Sequence, residues 1–166
     1  MEMTGGHSLK GKRVAVLMTD GVEQVEYTEP RSFLEAHGAR VTLLAPKNQG
    51  EQVQGKNHDA DGDRFTVEMH VRDAKPADFD ALLLPGGEEN PKKLRESAEA
   101  IDFVRQFALE AKPIAAICHG PLVLIDAGLA QGSHLTSWPE SKDELVAAGA
   151  EWSDEEVVID DRLITS

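Results

Sequence analysis

Pro113-Ile114-Ala115-Ala116-Ile117-Cys118-His119-Gly120-Pro121 decides the fold, because its apolar run passes without a spacer into a turn and the start of a helix. Leu122 to Ala127 then continues as a short apolar helix, closed by Gly128. A continuous apolar run before a helix is what a strand buried on both faces looks like in sequence. The same alternation repeats outward from this stretch. Upstream, Arg13 to Met18 reads as a first buried strand ended by Asp20-Gly21, and Glu26 to His37 as a helix with Gly38 as its left-handed cap. Arg40 to Ala45 is the second strand. Ala81-Leu82-Leu83-Leu84 is another, ending in Pro85-Gly86-Gly87, after which Leu94, Ala98, Ile101, Val104 and Ala108 keep helical spacing to Ala111. Between these strands lies a polar stretch from Asn48 to Arg64, and Phe65 to Val71 then alternates with period two. That alternation predicts a half-exposed strand or hairpin outside the central sheet. Downstream, Glu140 to Ala148 forms a further helix closed by Gly149, and Val157 to Thr165 a terminal hairpin. Strands that alternate with helices give the α/β class with a doubly wound parallel sheet.

The chain has 166 residues, the size of one domain, and its 40% hydrophobic and 28% charged residues are those of a soluble globular protein. Asp and Glu number 30 against 17 Lys and Arg, a net charge of −13 that repels phosphate backbones and anionic lipid. Neither nucleic acid nor a membrane is expected as a partner. Met1 to His7 carries acid where a signal peptide needs base, and no run approaches the ~20 apolar residues of a spanning helix. The expected location is the cytoplasm. A single cysteine closes no disulfide within the chain, so its thiol is available for chemistry.

That cysteine, Cys118, stands between a buried strand and a helix start, the setting of a nucleophile elbow, where a tight turn lifts the side chain over the strand's carboxyl end. The helix N-terminus and donors aimed at sulfur are expected to depress its pKa from about 8.5 to ~4–6. The alternative is a buried Cys packed as a small hydrophobe, which needs no His-Gly-Pro turn after it. His119 follows directly, either as a base or orienter or as a turn residue whose N–H matters. The other histidines show no ligand spacing and no metal motif is present. Asp59, Asp61 and Asp63 resemble a calcium loop only until the sixth and twelfth places, where Arg64 and His70 stand instead of Gly and Glu. Gly86-Gly87 opens no phosphate-binding motif, and Glu88-Glu89 would repel phosphate. Neither a metal nor a cofactor is expected. At the first helix, Glu23, Glu26 and Glu29 are all placed to favour its N-terminal dipole, and spacing alone does not choose among them.

Five pieces in order resemble the PfpI branch of the ThiJ/PfpI superfamily, with its flavodoxin-like, class I glutamine-amidotransferase-like fold. They are Gly21-Val22-Glu23-Gln24-Val25-Glu26 with Pro30, Leu84-Pro85-Gly86-Gly87, Ala116-Ile117-Cys118-His119-Gly120-Pro121, Leu135-Thr136-Ser137-Trp138-Pro139, and Val157-Val158-Ile159-Asp160. The resemblance covers nearly the whole chain, read as one domain over 1–166. It implies Cys118 as nucleophile, Glu26 as the acid beside it, and the Gly87 and His119 N–H groups as an oxyanion pocket. Gly86, Trp138 and Pro139 are expected to wall that pocket. As two close acids the pair shares a proton, with Glu26 expected to stay protonated while Cys118 ionises.

Two departures from the family pattern carry weight. In peptidase-like members a Glu after the Pro-Gly-Gly loop, supplied across a subunit interface, is the third member of a Cys-His-Glu triad, and here Lys92 takes that place. A cation cannot accept a hydrogen bond from imidazole, and Glu88 or Glu89 would have to substitute from a neighbouring register. Relatives also continue past Ser166 with a final helix, whose lack is expected to leave an apolar face of the last strand uncovered. The resulting expectation is a stress-protective cysteine enzyme acting on a small reactive carbonyl or glycated protein. An oligomeric intracellular peptidase and a redox sensor or chaperone acting through Cys118 oxidation are the alternatives. Family members pair through elements after the first strand, so a homodimer or larger homo-oligomer is expected, with Glu29-Pro30-Arg31 at the contact.

Overall fold

The computed structural model describes residues 8–166, so the reading of Met1 to His7 falls outside the described residues. In chain order the first half contains β1 (Arg13–Leu17), β2 (Val22–Glu23), α1 (Val25–Ala36), β3 (Arg40–Ala45), β4 (Gln52–Asn57), β5 (Ala60–Thr66), β6 (Met69–His70) and β7 (Ala81–Leu84). The second half contains α2 (Glu89–Arg95), α3 (Ala98–Leu109), β8 (Ile114–Ala116), α4 (Leu122–Asp126), β9 (His134–Leu135), α5 (Lys142–Ala147), β10 (Glu151–Trp152), β11 (Val158–Asp160) and β12 (Leu163–Thr165). β1 lies inside a seven-stranded sheet of order β11-β12-β8-β7-β1-β3-β6, parallel except for the β11–β12 pair at one edge.

Period two assigns the apolar side chains of each inner strand to opposite faces, and both faces are buried. Val14, Val16, Val41, Leu43 and Leu83 point to the side that packs Tyr27 and Leu34 of α1. Ala15, Leu17, Leu44, Leu82 and Leu84 point to the other side, against Leu94 of α2, Phe103 and Phe107 of α3 and Leu124 of α4. This is the flavodoxin-like, doubly wound architecture expected from the alternation. The chain leaves β1 for β3 on one flank and returns to β7 on the other, so a crevice opens where the carboxyl ends of β1 and β7 diverge.

The polar excursion is a β4–β5 hairpin that pairs in parallel with the two-residue β2 in a separate three-stranded sheet. The expectation that Phe65 to Val71 lies outside the central sheet holds only for its first residues. Met69 and His70 pair with Leu44 and Ala45 and form the edge strand of the main sheet. The helical spacing from Leu94 to Ala111 likewise divides: α2 stops at Arg95, and the Ser97 hydroxyl accepts the Ala100 N–H at 3.2 Å to start α3 afresh. The terminal hairpin forms as expected and joins the main sheet, since β12 pairs with β8. On β11 at that edge Ile159 is 70% exposed. No helix among the described residues is long and apolar enough to cross a membrane.

Candidate active site

Cys118 has φ +62°, a left-handed backbone that is uncommon for a residue with a Cβ and is the mark of a nucleophile elbow. Local hydrogen bonds hold it there. The Ile117 N–H donates to the Leu84 carbonyl, the Cys118 N–H to the Ser166 carbonyl at 2.8 Å, and the Gly120 N–H back to Ile117 at 2.7 Å. The Cys118 carbonyl in turn accepts the Trp138 N–H at 2.8 Å. Gly120 is required at this turn, because a Cβ would lie 2.4 Å from the Leu84 carbonyl oxygen.

Three loops at the carboxyl edge of the sheet converge on the sulfur. From the first turn of α1, Glu26 offers its carboxyl to the thiol as a hydrogen-bond partner, while its Oε1 accepts the Gly86 N–H at 2.8 Å. The backbone N–H groups of Gly87 and His119 both point at the sulfur. His119 also places its ring Nδ1 3.4 Å from Sγ. A cleft of about 390 Å³ opens above, lined by Glu23, Glu26, Gly87, Cys118, His119 and Trp138, with Lys56, His58 and Asp59 of the β4–β5 hairpin as its far wall. Gln24 docks that hairpin by accepting the Asp63 N–H at 2.7 Å, and the Glu23 carboxylate accepts the His58 N–H at 3.2 Å.

Two of the expected wall residues stand elsewhere. Gly86 sits behind the cleft, where a Cβ would meet the Ile117 carbonyl, Glu26 Oε1 and the His119 nitrogen within 2.8 Å, so its part is to let the loops close on one another. Pro139 starts the 3-10 turn after Trp138 and does not line the cleft, whereas Trp138 does and is half exposed. Lys92 is exposed on α2, with its ammonium 3.8 Å from Glu89. Two residues the sequence reading did not single out complete the surroundings. Asn90 is fully buried and accepts the Thr19 N–H at 2.7 Å while donating to the Pro85 and Gly86 carbonyls at 3.0 Å, which fixes the Pro-Gly-Gly loop against the end of β1. Glu140 places Oε2 3.9 Å from His119 Nε2. An Asn three residues beyond a Pro-Gly-Gly turn carries no periodic signal, and neither does a Glu in a polar turn.

The charge state of the pair differs from the expected depressed thiol. Burial pushes the Cys118 thiol up to about 12, together with the negative charge and hydrogen bond of Glu26, against the pull of the His119 and Gly87 N–H groups. Burial also raises the Glu26 carboxyl above its ordinary value, against the Gly86 N–H and the Cys118 hydrogen bond. The helix expected to lower the thiol is short, five residues beginning at Leu122, and brings little dipole to Cys118. Thiolate and carboxylate are therefore alternatives: between the raised Glu26 value and that of the thiol one proton serves both sites, and sulfur becomes an anion when Glu26 takes that proton.

Residues 12–166 match the model of the DJ-1/PfpI family. The chain belongs to that family. Among curated proteins, this DJ-1/PfpI chain is 40% identical over 156 residues to protein/nucleic acid deglycase 2 of Escherichia coli, covering 93% of this chain and 88% of that protein. It is 38% identical to the putative cysteine protease YraA of Bacillus subtilis, again over 93% of this chain and 88% of the other. Among solved structures, Drosophila melanogaster DJ-1beta superposes with a TM-score of 0.81 at 32% identity, over 93% of this chain and 81% of that one. A two-domain Anabaena variabilis protein with DJ-1/ThiJ/PfpI-like and ferritin-like domains superposes with a TM-score of 0.86 at 33% identity, over 93% of this chain and 43% of that longer one.

Proposed function

We propose that this protein is a cysteine-dependent enzyme of the deglycase type, acting on reactive dicarbonyls or on their adducts with amines and thiols. The observation that carries the reading is the convergence on one sulfur of a proton-accepting carboxyl and two backbone N–H donors, at the floor of an open cleft. The name of the Escherichia coli relative supports the same chemistry. In the reaction, Glu26 takes the thiol proton and Sγ adds to the aldehyde carbon of a dicarbonyl such as methylglyoxal, forming a C–S bond. The new alkoxide is held by the Gly87 and His119 N–H groups and then protonated. Glu26 next moves a proton from the carbon that bears sulfur to the neighbouring carbon, which leaves a thioester and a hydroxyl group. Water cleaves the thioester, releases the hydroxy acid and restores the thiol. Atoms balance with water alone, and no oxidant enters.

The test is a paired assay on one purified sample: methylglyoxal should be consumed with release of lactate, and unfolded casein should stay intact. The second outcome follows from the exposed Lys92 at the place of the peptidase acid. Casein cleavage that disappears in Cys118→Ser would reverse the assignment, and methylglyoxal turnover that persists in Cys118→Ser would remove Cys118 from the chemistry.

We also infer a homodimer or larger assembly. Arg31, expected at the contact, is engaged in its own chain by Glu68 at 2.8 Å, Glu35 at 3.2 Å and Tyr27. The large apolar side chains that α1 leaves exposed are Val25 and Phe33, about two turns apart. Light scattering at micromolar concentration should give at least twice the chain mass; a monomer contradicts the inference.

A further inference from the structure

We propose that Glu140 is a positioning residue that holds His119 in the tautomer protonated at Nε2, so that Nδ1 faces the Cys118 thiol as a second proton acceptor. The proposal rests on the reading of Cys118 as the nucleophile and adds to it an acid from within the same chain.

The two ring nitrogens of His119 have different neighbours. Nδ1 lies 3.4 Å from Cys118 Sγ, and Nε2 lies 3.9 Å from Glu140 Oε2. A neutral imidazole carries one proton, and a carboxylate beside Nε2 favours the form with the proton on that nitrogen. Nδ1 is then left with its lone pair toward sulfur. When the thiol proton moves to Nδ1, the resulting imidazolium faces the Glu140 carboxyl, and the charge pair formed is thiolate with imidazolium. This gives sulfur a second acceptor besides Glu26.

Glu140 is held in register with the elbow. Its Oε2 accepts the Trp138 Nε1–H at 3.1 Å, and the Trp138 backbone N–H donates to the Cys118 carbonyl at 2.8 Å. The rings of Trp138 and His119 lie 6.3 Å apart at an interplanar angle of 35°. His119 and the turn bearing Glu140 are therefore tied to the same residue. A separation of 3.9 Å is an ion-pair distance, about 1 Å longer than a hydrogen bond.

Nitrogen NMR of histidine-labelled protein reads the tautomer directly, with the His119 signals assigned by their loss in His119→Asn. The neutral ring should be protonated at Nε2 in the unmodified protein, become a mixture of tautomers in Glu140→Ala, and return toward Nε2 in Glu140→Asp. The same variants should show a kcat lowered about 10-fold in Ala and largely restored in Asp, with KM within about twofold, between the effect of an exposed ion pair and that of a buried triad acid. Glu140 is on the surface, so folding is not at risk. An Nδ1-protonated ring in the unmodified protein, or an unchanged tautomer in Glu140→Ala, overturns the proposal. Absence of turnover in the unmodified protein would count against the functional reading, and the spectra would still decide the role of Glu140.

Discussion

Glu26→Gln is expected to lower dicarbonyl turnover by ~10²–10⁴-fold, the usual contribution of a positioned acid or base. The amide keeps the shape of the carboxyl and can still accept the Gly86 N–H, so the loop geometry should survive. What is lost is the carboxyl that takes the thiol proton in the proposed reaction, while the His119 ring stays beside the sulfur. The substitution also removes the negative charge that, with burial, holds the thiol near 12, so the Cys118 pKa should fall toward its ordinary value even as turnover collapses. Steady-state kinetics with methylglyoxal together with thiolate absorbance against pH give both quantities. Turnover within threefold of the unmodified protein would remove Glu26 from the proton transfer.

Gly87→Ala should damage both folding and chemistry. Gly87 has φ +95°, and a Cβ there would lie 2.3 Å from the Gly21 carbonyl oxygen and 2.7 Å from the Glu23 nitrogen, contacts with backbone that no rotamer relieves. The left-handed backbone costs about 1–2 kcal/mol and the overpacking about 1–3 kcal/mol more. For a chain of this size the melting temperature should fall by about 5–15 °C. The loop relaxes by moving the Gly87 N–H off the sulfur, and loss of one such donor lowers turnover by ~10²–10³-fold. Thermal unfolding and kinetics on the same preparation check this. An Ala variant with unchanged melting temperature and turnover would mean that the loop is not confined as described.

The main strands and the elbow were legible because each carries its own chemistry in sequence. Arg40 to Ala45 and Ala81 to Leu84 are strands with the bounds their apolar runs give, and Cys118 could be placed at a turn because Gly120 and Pro121 end the strand before it. β2, β9 and β10 were not legible, since two residues are too few to show a period and their pairing is set by partners distant in sequence. The break between α2 and α3 escaped because Leu94, Ala98 and Ile101 keep helical spacing across it, and only the Ser97 cap marks it. Within the site, the choice of Glu26 over Glu23 and Glu29 came from resemblance. The structure gives the physical difference: Glu26 is the one whose carboxyl meets both Gly86 and Cys118, while Glu23 turns outward to cap the His58 N–H. The thiol's charge state was misread because a turn before a helix suggests a dipole, whereas burial beside a carboxylate acts more strongly on this sulfur.

The central claim is that Cys118 and Glu26 share one proton, and the pH profile of Cys118 alkylation by iodoacetamide tests it most directly. Between the raised Glu26 value and the second loss near 12 the pair keeps one proton, so the tautomer with Glu26 protonated and sulfur ionised holds a constant share, and alkylation through that tautomer does not depend on pH. The rate should accordingly be nearly flat from about pH 7 to 10 in the unmodified protein. In Glu26→Gln the carboxyl no longer shares that proton, and the rate should climb with pH toward the thiol's own pKa. A tenfold rise per unit in the unmodified protein, levelling near the ordinary value of about 8.5, would show an isolated thiol and contradict the account.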